Sequence, residues 1–281
     1  MFKQLNKTTV ISSETTREGI NNEQKWAVGL IDGDGHIGLE WTNKEKTKWV
    51  PVLKVTLHRY NSRAIYRLKK VLGIGNITYS KDTITYRVRK KTLWYSILIP
   101  LFDTFHLRSM KYSAVLIVKK ALNLAKTGNA TPKNILKLQK SLNRQTDHIS
   151  PIWKNKTRKE IFNFDWLAGF IEAEGSFYIL QNGQHGFAIG QAYDRHIIIG
   201  IHNLFNVKSA LKDSNNYLML DTKNTETLYL IANAINGRLL GIKSFEFSLW
   251  VRTLRKKKKA KSLKAKSIIA SIRKRFDKYI I

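Results

Sequence analysis

The chain has 281 residues, with 50 Lys and Arg against 20 Asp and Glu, a formal net charge of +30 and 43% hydrophobic residues. That hydrophobic share can bury a real core, so the chain is not a disordered basic tail, and its length suits one large domain or two of about 140 residues. The lack of Cys excludes disulfides, Cys-ligated zinc and thiol catalysis together.

An excess of positive charge this large repels itself in a compact state, and it points to a polyanionic partner, nucleic acid first. No apolar run approaches the roughly 18 residues of a membrane-spanning helix, so no membrane partner is expected. The first residues, MFKQLNKTTVISSETTREG, lack the apolar core of a signal peptide and, carrying Glu, make a poor transit peptide. The seven His are scattered without an H-x-H or H-x-x-x-H pair and read as structural or DNA-contacting.

Residues 26–40, WAVGLIDGDGHIGLE, contain Gly33-Asp-Gly35-His-Ile-Gly38, a literal match to the G-x-G-x-x-G of dinucleotide-binding folds. That site needs a strand before the glycines and a helix after them. Here His36 to Thr42 alternates polar with apolar residues, the period of a strand, so the required context is missing. Further strands are expected over 50–58, 76–80 and 83–89, with helices over 60–72, 92–105 and 112–126; Gly73 falls just past the first of these helices, as a C-cap would. Residues 127–163 hold the polar TGNATPKN and a helix-like ILKLQKSLNR, and read as a tether.

Residues 165–179, DWLAGFIEAEGSFYI, then repeat the first motif: Gly169-Phe-Ile-Glu-Ala-Glu-Gly175 aligns position for position with Gly29-Leu-Ile-Asp-Gly-Asp-Gly35, 140 residues earlier. Ala173 stands where Gly33 stood, so the nucleotide glycines do not recur while the acids do. Downstream the same order follows: strands over 176–180 and 186–191 around the Asn182-Gly183 turn, and a helix from Tyr193-Asp194-Arg195 to Phe205. Strands over 207–212 and 217–221 around Asn215-Asn216 come next, then helices over 225–235 and from 244 onward. The expected organisation is an N-terminal arm over 1–22, a first repeat over 23–126, a linker over 127–163, a second repeat over 164–255 and a basic extension over 256–281.

If each motif forms a helix ending at its last Gly, then Gly29 and Gly33 fall one turn apart on one face, as do Gly169 and Ala173, and small residues there let two backbones approach closely. Asp34 and Glu174 would then meet at the helix ends. Each would face the negative end of a helix dipole and another carboxylate, two penalties that a divalent cation removes, and oxygen ligands without His or Cys suit Mg²⁺. Asp32 and Glu172 are expected to hydrogen-bond backbone near the helix ends.

The paired motifs resemble the LAGLIDADG homing endonucleases in their single-chain, two-repeat form. The likeness covers roughly residues 24–255, with Ala27-Val28 in place of the first Leu-Ala. It implies an α/β (α+β) fold in which each half is αββαββα, the motif helices pack at the interface and two four-stranded sheets form a saddle over double-stranded DNA. It implies that Asp34 and Glu174 ligate divalent metal, with Gly33 and Ala173 supplying carbonyls, and that Lys111 and Lys243 lie near the active site, as catalytic groups or as phosphate contacts. Implied too is hydrolysis of both strands with a stagger, leaving 3′-hydroxyl and 5′-phosphate ends. Such proteins are encoded in organellar group I introns or as inteins, and some act as maturases on intron RNA. The covalent pseudo-twofold suggests a monomer, and the Lys-rich, Asn-rich composition fits an organellar reading frame.

Base-reading candidates alternate along the strands. They are Glu40, Thr42, Lys54, Thr56, His58, Thr78, Arg87 and Arg89 in the first half, and Ser176, Tyr178, Gln184, Gln191 and Lys212 in the second. The C-terminal stretch over 252–278 has thirteen basic residues against Asp277 and reads as a solvated source of non-specific phosphate contacts, its last part a candidate amphipathic helix.

Overall fold

The computed structural model describes residues 13–142, 150–154, 156–214, 217–256 and 258–278. The first half opens with α1 (Ser13–Asp34), continues through the hairpin β1 (Gly35–Trp41) and β2 (Trp49–His58), then α2 (Ser62–Leu72) and the hairpin β3 (Asn76–Tyr79) and β4 (Thr83–Val88). Gly73, at φ 67°, ends α2 in the left-handed conformation that a side chain disfavours. A π-helical turn over Trp94–Leu98 joins α3 (Lys91–Leu93) to α4 (Ile99–Thr104), where Pro100 has no N–H to return to the preceding turn. The half closes with α5 (Lys111–Lys126).

After α6 (Pro132–Leu142) and α7 (Arg158–Ile161), the same order recurs as α8 (Phe164–Glu174), β5 (Ser176–Ile179), β6 (His185–Gln191), α9 (Arg195–Leu204), β7 (Lys212–Ser214), β8 (Tyr217–Thr222), α10 (Thr225–Ile235) and α11 (Lys243–Lys256). A final helix, α12 (Lys259–Lys278), follows. Each half carries one antiparallel sheet, ordered β1-β2-β4-β3 and β5-β6-β8-β7. Alternation buries Leu53, Val55 and Leu57 in one sheet and Phe177, Phe187 and Ile189 in the other beneath the helices, leaving one face of each sheet open. The fold is the two-repeat αββαββα architecture that the sequence predicts.

The two halves meet where α1 crosses α8. A Cβ built on Gly29 would collide with the Trp166 carbonyl oxygen, and one on Gly169 with the Trp26 carbonyl oxygen. Gly33 likewise has the Ala173 methyl where its own Cβ would stand. The small residues are therefore required by backbone-to-backbone contact, and the crossing brings both helix ends to one place.

Several expectations are corrected. The motif helix reaches back to Ser13, so the division at 22 and 23 falls within a helix. The strand expected over 207–212 begins only at Lys212, because Asn206 turns left-handed after α9 (φ 47°) and Val207 is buried as a plug. Asn215-Asn216 lies outside the described residues. Within the expected tether, α6 docks on the first sheet: Ile135 is buried, Gln139 Nε2 donates to the Leu39 carbonyl at 3.0 Å, and Trp41 Nε1 donates to Gln139 Oε1 at 2.7 Å.

The basic C-terminal run is not a solvated tail. Along α12, Ser262, Ala265 and Ile269 are buried, and the Arg273 guanidinium clasps the Glu246 carboxylate, Nε and Nη2 donating to its two oxygens at 2.8 and 2.6 Å. Glu246 is 1% exposed, so Arg273 neutralises a charge that water cannot reach. Among the described residues no helix is long and apolar enough to cross a membrane.

Candidate active site at the crossed helix ends

Asp34 is the last residue of α1 and Glu174 the last of α8. The entry to α8 is set by Asn163, whose side chain accepts from the Asp165 and Trp166 N–H groups as an N-cap. Burial raises the Asp34 pKa above its ordinary value, opposed by the cationic Lys243 and Lys111. Burial raises Glu174 further, to about 7, and the neighbouring Asp34 adds to it, while Lys111, Lys243 and a hydrogen bond from Gln191 oppose. Two desolvated acids, one of which raises the other, are thus held at the interface.

A lysine sits on each helix end. Lys111 Nζ donates to the carbonyls of Asp32 at 2.5 Å and Gly33 at 2.9 Å. Lys243 Nζ donates to the carbonyls of Ile171 at 3.0 Å and Ala173 at 3.1 Å. Cations belong at a helix C-terminus, where the last carbonyls lack intrahelical partners. Lys243 is buried and its pKa is lowered by that burial. The Gly33 and Ala173 carbonyls, expected as metal ligands, are therefore already shared with ammonium groups beside the two acids.

The other acid of each motif turns inward to the protein. Asp32 accepts from the Arg108 and Ser109 N–H groups at 2.9 and 3.0 Å, from the Ser109 hydroxyl at 2.5 Å and from Trp166 Nε1 at 2.8 Å. Glu172 accepts from the Gly241 and Lys243 N–H groups at 3.0 and 3.2 Å. Both fix the loops that deliver the lysines. Two residues not singled out for this site add a reciprocal tie: Asn61 Oδ1 accepts from Ile242 N at 3.2 Å, and Asp194 Oδ1 accepts from Met110 N at 2.7 Å. Each half thereby holds the residue before the other half's lysine. Tyr60-Asn61-Ser62 and Tyr193-Asp194-Arg195 stand at matching places in the repeats, which was the visible signal; their destination across the interface was not.

The strand candidates divide. Lys54 pairs across the ladder with His36 and with Arg87, and these line the open face of the first sheet with Thr56, whose hydroxyl meets that of Thr85 at 2.9 Å. Glu40 and Arg89 form an ion pair at 3.3 Å, and Thr78 is exposed opposite Thr85. Thr42 closes the β1–β2 connection by donating to the Lys48 carbonyl at 3.2 Å, and His58 accepts from Tyr60 N at the start of the following turn. In the second sheet Tyr178 donates to Asp221 at 2.5 Å, Lys212 pairs with the same carboxylate at 2.5 Å, and Ser176 lies opposite Ala188.

One candidate falls off the strands and another, on its strand as expected, has a partner within the site. Gln184 is in the β5–β6 turn, its backbone N–H donating to Asn182 Oδ1 at 3.0 Å, one residue before the hairpin's second strand begins at His185. Gln191 is turned to the acids, its Nε2 donating to Glu174 Oε1 at 2.5 Å.

Chemically the centre offers two carboxylates and two helix-end carbonyls, all hard oxygen donors. Among the described residues no group of three or more His, Asp and Glu side chains converges. A divalent cation held here would draw its remaining oxygens from outside the protein, as Mg²⁺ does when it is bound through one or two carboxylates and substrate phosphates.

Comparison with known proteins places the chain. A model of the LAGLIDADG endonuclease family matches residues 27–122. The probable intron-encoded endonuclease Cox1-I1b of Schizosaccharomyces pombe is 32% identical over 276 residues, covering 90% of this chain and 70% of that protein. The chain belongs to the LAGLIDADG endonuclease family. Within the family, the probable intron-encoded endonuclease aI3 of Dictyostelium citrinum is 28% identical over 80% of this chain and 92% of its own length. An uncharacterised mitochondrial protein RF1 of Saccharomyces cerevisiae is 25% identical over 61% of this chain. Among solved structures, I-SmaMI bound to uncleaved DNA in the presence of calcium superposes with a TM-score of 0.72 at 22% identity, over 88% of this chain and 97% of that one. The LAGLIDADG homing endonuclease I-GzeII in complex with its DNA target gives 0.70 at 19% identity, over 89% of this chain and 96% of that one. These likenesses establish the shared two-repeat fold.

Proposed function

We propose that this member of the family is a site-specific endonuclease that hydrolyses both strands of double-stranded DNA, and the observation that carries the reading is the pair Asp34 and Glu174. Two carboxylates raised by burial at converging helix ends, Glu174 raised further by Asp34, make a site that is unfavourable until positive charge enters it. Asp34, Glu174 and the Gly33 and Ala173 carbonyls would hold divalent metal, Mg²⁺ in our reading, which when bound neutralises charge at the attacking and leaving oxygens of a phosphodiester. Lys111 and Lys243 keep the helix-end carbonyls aligned and place fixed positive charge beside the scissile phosphates. Gln191 orients Glu174, so the two acids are not equivalent.

The open sheet faces would enter the major groove, where base edges present a distinct donor and acceptor pattern. Lys54, Thr56, Arg87 and Arg89 in one sheet, with Ser176, Tyr178 and Lys212 in the other, are the proposed readers. The net charge of +30 supplies the sequence-independent attraction. The relatives' intron-encoded and mitochondrial names support an organellar intron as the source of the gene, and the covalent pseudo-twofold supports a monomer.

The test joins the sequences that flank the gene's own intron and incubates that DNA with purified protein and Mg²⁺, comparing wild type with Asp34→Asn. Staggered cleavage at the junction with 3′-hydroxyl ends, lost in the variant, is the expected result. Tight binding of the protein's own intron RNA without any DNA cleavage would instead favour a splicing maturase.

A further inference from the structure

The outward side of α2 carries an aromatic and cationic surface that the DNA-reading faces leave unused. Ala64, Ile65, Leu68 and Leu72 are buried against the first sheet, so Arg63, Tyr66, Lys69 and Lys70 point away from it, opposite the open face that bears Lys54 and Thr56. Tyr79 joins this surface from the edge strand. It pairs across the ladder with the buried Ile84, which sets its ring on the helix side, and its hydroxyl meets that of Tyr66. From the second half Phe245 lies beneath the Arg63 guanidinium, 4.8 Å away, while Arg59 stands 5.3 Å over Tyr79.

Tyr66, Tyr79 and Phe245 are 52%, 52% and 49% exposed, an unusual outlay of ring surface to water. Beside Tyr66 runs a groove of about 340 Å³ lined by Arg63, Tyr66, Arg67, Lys70 and Leu240, at the seam of the two halves; Tyr79 and Phe245 flank it through their contacts with Tyr66 and Arg63. The α2 sequence SRAIYRLKKVL contains no acid, and Arg67 is paired with Glu23. Rings set between fixed cations offer two chemistries at once: faces on which flat heterocycles stack, and charge for the phosphates that connect them. A duplex hides its base faces inside the stack, whereas unpaired nucleotides display them.

We propose that this groove and the rings flanking it form a second polynucleotide site, one that takes a short run of unpaired nucleotides on the side of the protein opposite the open sheet faces. Bases stack on Tyr66, Tyr79 or Phe245, and Arg63, Lys69 and Lys70 meet the phosphates. Because the two surfaces lie on opposite sides of the first sheet, a paired target on the open faces and an unpaired strand on α2 can be held together.

The test is photocrosslinking of the full chain with short RNA carrying 4-thiouridine and with DNA of the same sequence carrying 4-thiothymidine, followed by residue-level mapping. Crosslinks at Tyr66, Tyr79 or Phe245 are expected, and the paired duplex should label the open sheet faces instead. Labelling by RNA alone identifies a ribose-dependent contact, and labelling by both identifies an unpaired strand of either kind. The doubly charge-reversed protein Arg63→Glu, Lys70→Glu should capture the unpaired strand roughly tenfold more weakly. Tyr66→Leu, which keeps the bulk and removes the ring, should also weaken capture, by up to roughly tenfold. Crosslinks confined to the open faces, or capture unchanged in both of these exposed-site variants, would overturn the proposal.

Discussion

Trp166, on the second motif helix, donates its indole N–H to the Asp32 carboxylate of the first at 2.8 Å, whereas the indole N–H of Trp26, its counterpart in the repeat, is buried without a hydrogen-bond acceptor among the described residues. The other half's acid, Glu172, is one methylene longer than Asp32 and accepts from the Gly241 and Lys243 N–H groups. Both tryptophans are about equally buried, so replacing each by Phe removes the same ring atoms. Trp166→Phe should cost about 1.5–3 kcal/mol more than Trp26→Phe, the worth of a hydrogen bond to a charged acceptor. Urea unfolding of the two variants measures the difference, and equal losses would contradict it.

The helix crossing yields a prediction by contrast of glycines. Gly29→Ala and Gly169→Ala each force a methyl into the opposite backbone carbonyl, where no side chain can yield, and should cost about 3 kcal/mol or more, at or beyond the upper end of overpacking penalties. Gly19, in the exposed early part of α1, has open space where an added methyl would stand, with nothing within 4 Å. Gly19→Ala should therefore stabilise by about 0.5–1 kcal/mol, the relief of glycine's backbone entropy in a helix. Thermal unfolding distinguishes the two classes by sign.

The raised acids predict a pH dependence. The Glu174 pKa of about 7 lies above its ordinary value, so the folded state binds that proton more tightly than the unfolded state does. The stability this contributes is fully present below the unfolded value and is lost as pH rises through about 7. Glu174→Gln removes the buried charge and should stabilise the protein by about 2 kcal/mol at pH 8, an allowance made for partial solvation, with the gain vanishing near pH 5. Added Mg²⁺ should raise the melting temperature of wild type at pH 8 and leave Glu174→Gln much less changed. Calorimetry with and without metal reads both effects.

Lys243 lowers the pKa values of both Asp34 and Glu174. Lys243→Met leaves the Ile171 and Ala173 carbonyls without their ammonium donor and lets both acids rise further. The acid limb of the single-turnover cleavage profile should then shift to higher pH, beyond any uniform fall in rate. A profile that drops evenly at every pH would show that Lys243 acts only by contacting phosphate.

Glu246 and Arg273 predict a destabilisation that can be reversed. Arg273→Met strands a carboxylate that is 1% exposed and should cost about 3–5 kcal/mol, while the double change Glu246→Met, Arg273→Met should recover most of that loss. Removing residues 256–281 should destabilise in the same way, because it also takes Arg273 away. Unfolding midpoints of the four proteins test this, and a truncated chain as stable as wild type would sink the idea.

The repeat, the strand periods and the paired acids were legible without coordinates because each is a local pattern. Two motifs 140 residues apart marked the pseudo-twofold, alternation in VPVLKVTLH marked β2, and an acid before a helix-terminal glycine marked Asp34 and Glu174. Small residues one turn apart even announced the helix crossing. What the chain could not show locally is where a side chain ends when its partner is distant in sequence. Gln191 has the position of a base reader on a strand, yet its amide meets Glu174 at the strand's inner end. Arg273 sits in a run of like charges that reads as solvated, and only the docking of α12 on α11 reveals the buried carboxylate it neutralises. The reach of Asp194 to Met110 and of Asn61 to Ile242 likewise depends on the halves being face to face. Periodicity determined the elements and their order because hydrogen-bond geometry repeats along the chain. Only tertiary structure decided the pairings, because burial and electrostatics act through space.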